Sequence, residues 1–166
     1  ISSSPEIRLF EFCIQIDCDR FMADPSSLGE QLKSIRNAEE RKQIANKLIY
    51  LAIEKGDLDL LNGLLSLDYI DVNLADQYYK RLPIHLAVQK NNLKAAETLV
   101  KVGSAINLAD GKGFTPLHYS AANGYTRITD LLIQKGADVS AKDSEGQTPF
   151  ILAITNGHQN DWRLLL

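Results

Sequence analysis

One stretch decides the fold: residues 115–136 have the sequence TPLHYSAANGYTRITDLLIQKG. Thr115 can cap a helix that Pro116 opens, because the fixed φ and missing N–H of proline suit the first helical turn. Gly124 can end this short helix, since glycine tolerates the positive φ that often follows one. The first half of the stretch therefore predicts a short capped helix followed by a turn.

A second helix is predicted over the remainder of the stretch. Ile128, Leu131 and Leu132 have the spacing of one apolar helix face, and Gly136 provides the stop. Residues 137–146, with the sequence ADVSAKDSEG, then supply an extended segment and a turn. The unit is predicted to be a helix, a turn, a second helix and a projecting loop.

The unit recurs along the chain. Thr115 lies 33 residues after Leu82 and 33 before Thr148, and each of these residues opens a similar segment. A weaker copy begins at Lys47-Leu-Ile-Tyr50, with two extra residues before the next unit. Neither helix can bury its apolar face within one unit, so we expect an all-α solenoid of stacked units. The predicted units are 47–81, 82–114, 115–147 and 148–166, the last being truncated or a cap.

Several motifs recur in phase with this period, and the third copy is the clearest. It contains Asp110-Gly-Lys-Gly-Phe-Thr-Pro-Leu-His118, Asn123-Gly124 and Gly136-Ala-Asp-Val139, and in these motifs it resembles the ankyrin-repeat family. The resemblance covers residues 47–166, about three and a half repeats. It implies a solenoid of helix-turn-helix units with projecting β-turn loops, whose concave face binds a partner protein.

Three departures from the family pattern stand out. The first unit lacks Thr-Pro, and the second has Asn91-Asn92 in place of Gly-His. In the last unit Asp161 stands where the preceding units have Ile128 and Ala95. This substitution predicts a polar outer face at the C-terminal end of the stack, as a capping unit would have.

Residues 1–46 do not fit the repeat and are assigned to an N-terminal extension or cap. Ser4-Pro5-Glu6 is a good helix start, yet residues 10–18 alternate in the manner of a strand; the capping signal favours a helix. A charged amphipathic helix is predicted from Glu30 to Ala45. These helices either cover the open end of the stack or belong to an upstream domain.

Composition excludes several classes of function. The formal net charge of −3 argues against a nucleic-acid surface, and no apolar run approaches the ~20 residues that span a bilayer. Two cysteines, Cys13 and Cys18, form no disulfide framework, which favours the cytosol or nucleus. For a secreted effector the corresponding compartment would be the cytosol of the host. A solenoid with polar ends is expected to be a monomer.

No catalytic or metal-binding constellation is visible. His85 and His118 are separated by one repeat, although metal ligands and catalytic bases must converge in space. In ankyrin-like units this histidine ties the start of a helix to the neighbouring loop, and His158 falls at the Gly-His position, which is also structural. The cysteines lack the further ligands of a zinc site. We therefore expect a protein that is not an enzyme and has no cofactor.

Binding is expected at the loop tips and first helices. Tyr78 and Tyr79 beside Lys80 and Arg81 have the aromatic and arginine composition of interface hot spots, and the cations would complement an acidic segment. Alternatively, one tyrosine packs on the adjacent loop and the lysines are only solvated. The full set of partner-binding candidates is Tyr78, Tyr79, Lys80, Arg81, Gln89, Lys90, Lys112, Phe114, Asn123 and Glu145. Tyr119 is interpreted first as a packing residue.

Asn73, in an Asp-Val-Asn turn, resembles the ankyrin asparagine that an oxygen-sensing hydroxylase modifies, but an asparagine there also supports the turn, and this structural role is favoured over a regulatory one. The leading hypothesis for the chain is a protein-interaction module that uses its concave face. The alternative is the targeting part of a larger enzyme or secreted bacterial effector whose catalytic domain lies outside these residues.

Overall fold

The computed structural model describes residues 28–166, and all regular structure in that range is helical. The helix predicted from Ser4, the alternating segment and both cysteines lie outside the described residues. The helices are α1 (Leu28–Lys33), α2 (Ala38–Lys55), α3 (Leu58–Leu65), α4 (Pro83–Gln89), α5 (Leu93–Lys101), α6 (Pro116–Asn123), α7 (Thr126–Gln134), α8 (Pro149–Thr155) and α9 (Gln159–Leu164).

Helices α2 to α9 form four consecutive pairs that stack on one another. The first helices of the pairs, α2, α4, α6 and α8, contact each other in sequence order, and so do the second helices α3, α5, α7 and α9. The predicted all-α solenoid is confirmed. The predicted units 82–114, 115–147 and 148–166 each contain one pair, whereas the predicted unit 47–81 begins inside α2. Long connections carry the chain from each pair to the next and project as loops.

The apolar faces expected from the periodicity form the core. Leu117 and Ala121 of α6 are fully buried against Ile128 and Leu132 of α7. Burying each such leucine or isoleucine contributes about 1.5–3 kcal/mol relative to an exposed one. The core also runs between units, since α6 contacts both α4 and α8.

The N-terminal part differs from the prediction. The single helix expected from Glu30 to Ala45 is wrong: α1 ends at Lys33 and α2 begins at Ala38. The break arises because the Asn37 side chain caps α2, accepting the N–H groups of Glu39 and Glu40 at 3.0 and 3.4 Å. Helix α2 then continues to Lys55, so the boundary predicted after residue 46 falls inside one helix.

Helix α1 covers the N-terminal end of the stack. Leu28 and Leu32 are buried, and α1 contacts both α2 and α3. Among the described residues this short helix does what a further unit would do for the first pair, because it shields apolar side chains that would otherwise face solvent.

The C-terminal end also differs from the prediction. Asp161 is 1% exposed, so the polar outer face expected from this residue is wrong. Because it occupies the same helical position as Ile128, its side chain points into the stack, where Oδ2 accepts the Thr126 hydroxyl at 3.1 Å. Its other carboxylate oxygen is buried without a hydrogen-bond partner.

Candidate partner-binding surface

Two buried histidines connect the helix pairs to the loops. His85 Nδ1 accepts the Leu82 N–H at 3.0 Å, and His118 Nδ1 accepts the Thr115 N–H at 3.1 Å. Since Nδ1 accepts, the proton lies on Nε2, which donates to Phe114 O from His85 and to Gln147 O from His118, both at 3.1 Å. Burial lowers the pKa of both imidazoles, which keeps them neutral in this role.

These contacts refine the predicted cap of α6. Thr115 is the N-cap residue, but its hydroxyl lies 2.8 Å from His118 Nδ1 and makes no cap bond to a helix N–H. The expected structural role of the two repeated histidines is confirmed. His158 is structural as well, because its Nε2 lies 3.0 Å from Ala122 O of the preceding unit.

Tyr50 occupies the corresponding position in the first unit. Its hydroxyl lies 2.7 Å from Arg81 O and 2.8 Å from Leu74 O, so it holds the first loop as the histidines hold the later ones. Burial, followed by the nearby Asp76 carboxylate, raises the pKa of Tyr50. The repeat places Lys47-Leu-Ile-Tyr50 opposite Leu82-Pro-Ile-His85. The sequence does not indicate that Tyr50 and His85 make the same bond.

An aspartate organises the tip of each loop. Asp76 Oδ1 accepts the N–H groups of Tyr78 and Tyr79, at 2.9 and 2.6 Å. Asp110 Oδ1 accepts those of Lys112 and Phe114, at 2.8 and 3.0 Å. Asp143 makes the equivalent bonds in the third loop. Sequence reasoning did not assign these carboxylates a role, although the repeated Asp-x-x-Gly spacing of the second and third loops signalled a turn.

Each of the three tips touches the next along the stack. Gly111 N–H donates to Tyr79 O at 2.8 Å, and a side chain at Gly111 would come within 2.9 Å of that oxygen. The Ser144 hydroxyl donates to Lys112 O at 2.8 Å, joining the second tip to the third. The tips therefore form one continuous strip across three units. This surface, formed by residues 76–81, 110–114 and 143–147, is called the tip strip below.

Within the first tip, the candidate residues have different roles. The Arg81 guanidinium is bound by Asp76 Oδ2 at 3.2 Å and Gln89 Oε1 at 2.8 Å, and it lies over the Tyr79 ring at 4.5 Å. Arg81 and Gln89 thus hold the tip in place. Tyr78, by contrast, is 71% exposed, and the Lys80 side chain also faces solvent.

Phe114 is not an exposed anchor. Its ring is half-buried, 5.2 Å from the Tyr119 ring and 5.6 Å from the His118 ring between centroids. The Tyr119 hydroxyl donates to Asp110 Oδ2, and burial together with this bond raises the pKa of Tyr119. Phe114 and Tyr119 are therefore packing residues that support the second tip.

The remaining candidates differ in how their polar groups are used. Lys90 Nζ is paired with Glu54 Oε2 at 2.8 Å, and Asn123 Nδ2 donates to Tyr119 O at 2.8 Å. Lys112 and Glu145 are exposed at the second and third tips. The two lysines of the tip strip, Lys80 and Lys112, have no ion pair in the described structure, so it is their charge that faces solvent.

The predicted modification residue is used structurally. Asn73 Oδ1 accepts the Ala105 N–H at 2.7 Å, and Asn107 Oδ1 accepts the Asp138 N–H at 2.8 Å one unit later. Each asparagine thereby joins its own loop to the next. Hydroxylation of Asn73 stays a prediction.

Residues 28–166 contain no group of three or more histidine, cysteine, aspartate or glutamate side chains placed to hold a metal ion. None of the helices described is both long and apolar enough to cross a membrane.

A sequence model described as "Ankyrin repeats (3 copies)" matches residues 48–143 and 84–166. No curated protein matches the chain.

Proposed function

The chain belongs to the ankyrin-repeat family, and on that basis we propose that it binds a partner protein through the tip strip and the adjoining first helices. Ankyrin repeats are generally protein-interaction modules. The proposal places the contact on one face of the stack, with Tyr78 as its main anchor.

The observation that carries the proposal is the exposure of Tyr78 on a fixed backbone. The side chain is 71% exposed, while its N–H and that of Tyr79 are both bound by Asp76. An aromatic side chain on a rigid tip loses little conformational entropy when a partner covers it. Tyrosine is also among the residue types enriched in binding hot spots.

Charge supports an acidic partner segment over the first two tips. Lys80 and Lys112 form no ion pair with any residue of the described range 28–166 and present their ammonium groups there, whereas Glu145 places a negative charge at the third tip. An acidic segment would be attracted to the first two tips and repelled at the third, which gives the contact a direction along the stack. Arg81 contributes by holding the tip, since its guanidinium is already bound.

The experiment is affinity capture from cell lysate with three forms of the chain. The test variant carries Tyr78→Ala and Lys80→Ala, and the matched control carries Val102→Ala and Lys135→Ala, two exposed positions that follow second helices. Circular dichroism checks that each form is folded. We expect a protein retained by the parent and the control and lost by the test variant, with an affinity reduced at least tenfold for the isolated partner.

Equal retention by the test variant would contradict the assignment of the tip strip. The same surface would serve the alternative function, in which the repeats select the target of a larger enzyme or secreted effector. A catalytic motif in the reading frame outside these 166 residues would support that alternative.

The cytosol or nucleus is the proposed site of binding, which a fluorescent fusion in cells would test.

A further inference from the structure

The carboxylates that hold the first two tips use their two oxygens differently. Oδ1 of Asp76 and Oδ1 of Asp110 each accept backbone N–H groups of their own tip. Oδ2 of Asp76 accepts the Arg81 guanidinium at 3.2 Å. Oδ2 of Asp110 accepts the Tyr119 hydroxyl. The second oxygen of each carboxylate therefore connects the backbone of its turn to a further polar side chain.

Gln89, at the end of α4, joins those two side chains. Its Oε1 accepts an N–H of Arg81 at 2.8 Å, and because a guanidinium only donates, the orientation of the Gln89 amide is fixed. The amide nitrogen of Gln89 then donates to the Tyr119 hydroxyl, whose own proton is donated to Asp110. Each contact along this chain pairs a donor with an acceptor. It is called the tip network below: Asp76, Arg81, Gln89, Tyr119 and Asp110.

The tip network does not recur between the second tip and the third. One repeat after Arg81, Gln89 and Tyr119 the side chains lack the polar groups that such a connection needs: Phe114, Ala122 and Leu152. Asp143 still accepts N–H groups of its own tip through Oδ1. The tip network therefore joins the two tips that carry lysines, Lys80 and Lys112, and leaves out the third.

We propose that the tip network makes the first and second tips open and close together, with Tyr119 as the positioning residue between them. Opening of either tip withdraws its carboxylate and deprives the half-buried groups of Arg81, Gln89 and Tyr119 of a partner, which lowers the cost of opening the other tip. The Tyr119 ring needs no contact with a partner for this role, since it packs on Phe114 and His85 at centroid distances of 5.2 and 6.1 Å.

The coupling has a consequence for binding that rests on the proposed function. The backbone beneath Lys80 and Lys112 is ordered as one unit before a partner arrives, so the partner does not bear the cost of ordering each tip separately. The coupling itself is a property of the free chain. It is therefore tested without a partner, and its failure is distinguishable from failure of the proposed function.

Amide hydrogen exchange followed by NMR tests the coupling in the 166-residue chain. Tyr119→Phe keeps the ring, removes the hydroxyl from the tip network and leaves the sequence of both tips unchanged, so exchange rates at the tips report how often they open. We expect the amides of Lys112 and Phe114 to exchange about threefold faster or more. The amides of Tyr78 and Tyr79, in the other tip, should also exchange faster by about threefold or more.

A second variant, Gln89→Met, identifies the route of the coupling. Methionine has a similar length but cannot bond Arg81 and Tyr119, while the backbone bond from Gly111 N–H to Tyr79 O stays in place. In the Gln89→Met background, adding Tyr119→Phe should speed exchange in the second tip and no longer in the first.

Tyr125→Phe is the matched control and should change neither tip, since the Tyr125 hydroxyl makes no hydrogen bond within residues 28–166. NMR spectra confirm that each variant is folded. The proposal is overturned if Tyr119→Phe changes exchange in the second tip alone. It is also overturned if the effect on the first tip persists with Gln89→Met, because the backbone bond then transmits it. Equal acceleration at the Glu145 and Gln147 amides of the third tip would likewise overturn it, since that indicates a general loosening of the stack.

Discussion

Tyr50 and His85, although chemically different, occupy the same position in successive units and make the same bond. The Tyr50 hydroxyl lies 2.7 Å from Arg81 O, and His85 Nε2 lies 3.1 Å from Phe114 O. A phenol is longer than an imidazole, and the first loop holds one more residue than the later ones between its aspartate and this carbonyl. The longer side chain therefore accompanies the longer loop.

Removing the Tyr50 hydroxyl is expected to weaken the first loop. Tyr50→Phe leaves the ring in place but removes the hydroxyl that reaches Leu74 O and Arg81 O, of which Arg81 O keeps the Asp76 N–H, so the free energy of unfolding should fall by about 1 kcal/mol. Urea denaturation measures the change. Tyr125→Phe is the matched control, since the Tyr125 hydroxyl makes no hydrogen bond within residues 28–166, and it should change stability by less than about 0.5 kcal/mol.

The histidines predict a dependence of stability on pH. Burial lowers the pKa of His85 and His118 in the folded chain below the ordinary value of 6.5. As pH falls through 6.5 the unfolded chain takes up protons that the folded chain does not, so stability is lost toward acid. The slope reaches at most about 1.4 kcal/mol per pH unit for each histidine.

Urea denaturation between pH 7.5 and pH 5.5 measures that slope. His118→Gln should flatten it, because one of the two groups no longer titrates, whatever the variant does to the absolute stability. An unchanged slope in His118→Gln would contradict the assignment.

Two glycines that end helices are expected to respond differently to alanine. Gly124 has φ 70°, and a Cβ there would lie 2.5 Å from His158 Nδ1; Gly136 has φ 88° with open space around it. Gly136→Ala should cost about 1 kcal/mol for the backbone conformation alone. Gly124→Ala should cost at least about 1 kcal/mol more, because the His158 ring must also move. Equal losses in thermal denaturation would show that the ring yields freely.

The buried carboxylate at the C-terminal end should be replaceable. Asp161→Ile puts the side chain of Ile128 at the equivalent position and removes a buried oxygen that has no partner. We expect the free energy of unfolding to rise by about 1–2 kcal/mol, as when buried charges are replaced by apolar groups of similar volume. Asp130→Ile, at a partly exposed position of α7, is the control and should not stabilise the chain. Destabilisation by Asp161→Ile would mean that the hydrogen bond from Thr126 stabilises the chain by more than burial of the carboxylate destabilises it.

Much of the fold could be predicted because each unit of the repeat carries the same local sequence signals. The 33-residue spacing fixed the number of units, and the apolar spacing of Ile128 and Leu132 identified the buried face of α7. The glycines gave the ends of α6 and α7 because glycine favours positive φ. These are local signals, and each unit repeats them.

The site was less predictable because it depends on contacts between loops. The sequence does not indicate that Arg81 is bound by Asp76 and Gln89 or that Phe114 packs on Tyr119. Composition cannot distinguish an aromatic side chain that packs beneath a tip from one that projects from it, as Tyr78 does. The direction of Asp161 was missed for a similar reason, since its polarity suggested the surface while its helical position faces inward.

The left-handed turn at Lys80 lowers the stability of the first tip and at the same time presents a charged side chain. The other two tips turn through Gly113 and Gly146 at φ 80° and 78°, whereas Lys80 adopts φ 54° with a full side chain. Such a conformation costs a non-glycine residue about 1–2 kcal/mol. Under the proposed function, the ammonium group of Lys80 offsets this strain by contacting the partner, which a glycine could not do. Lys80→Gly should then raise the Tm of the chain and lower its affinity for the partner.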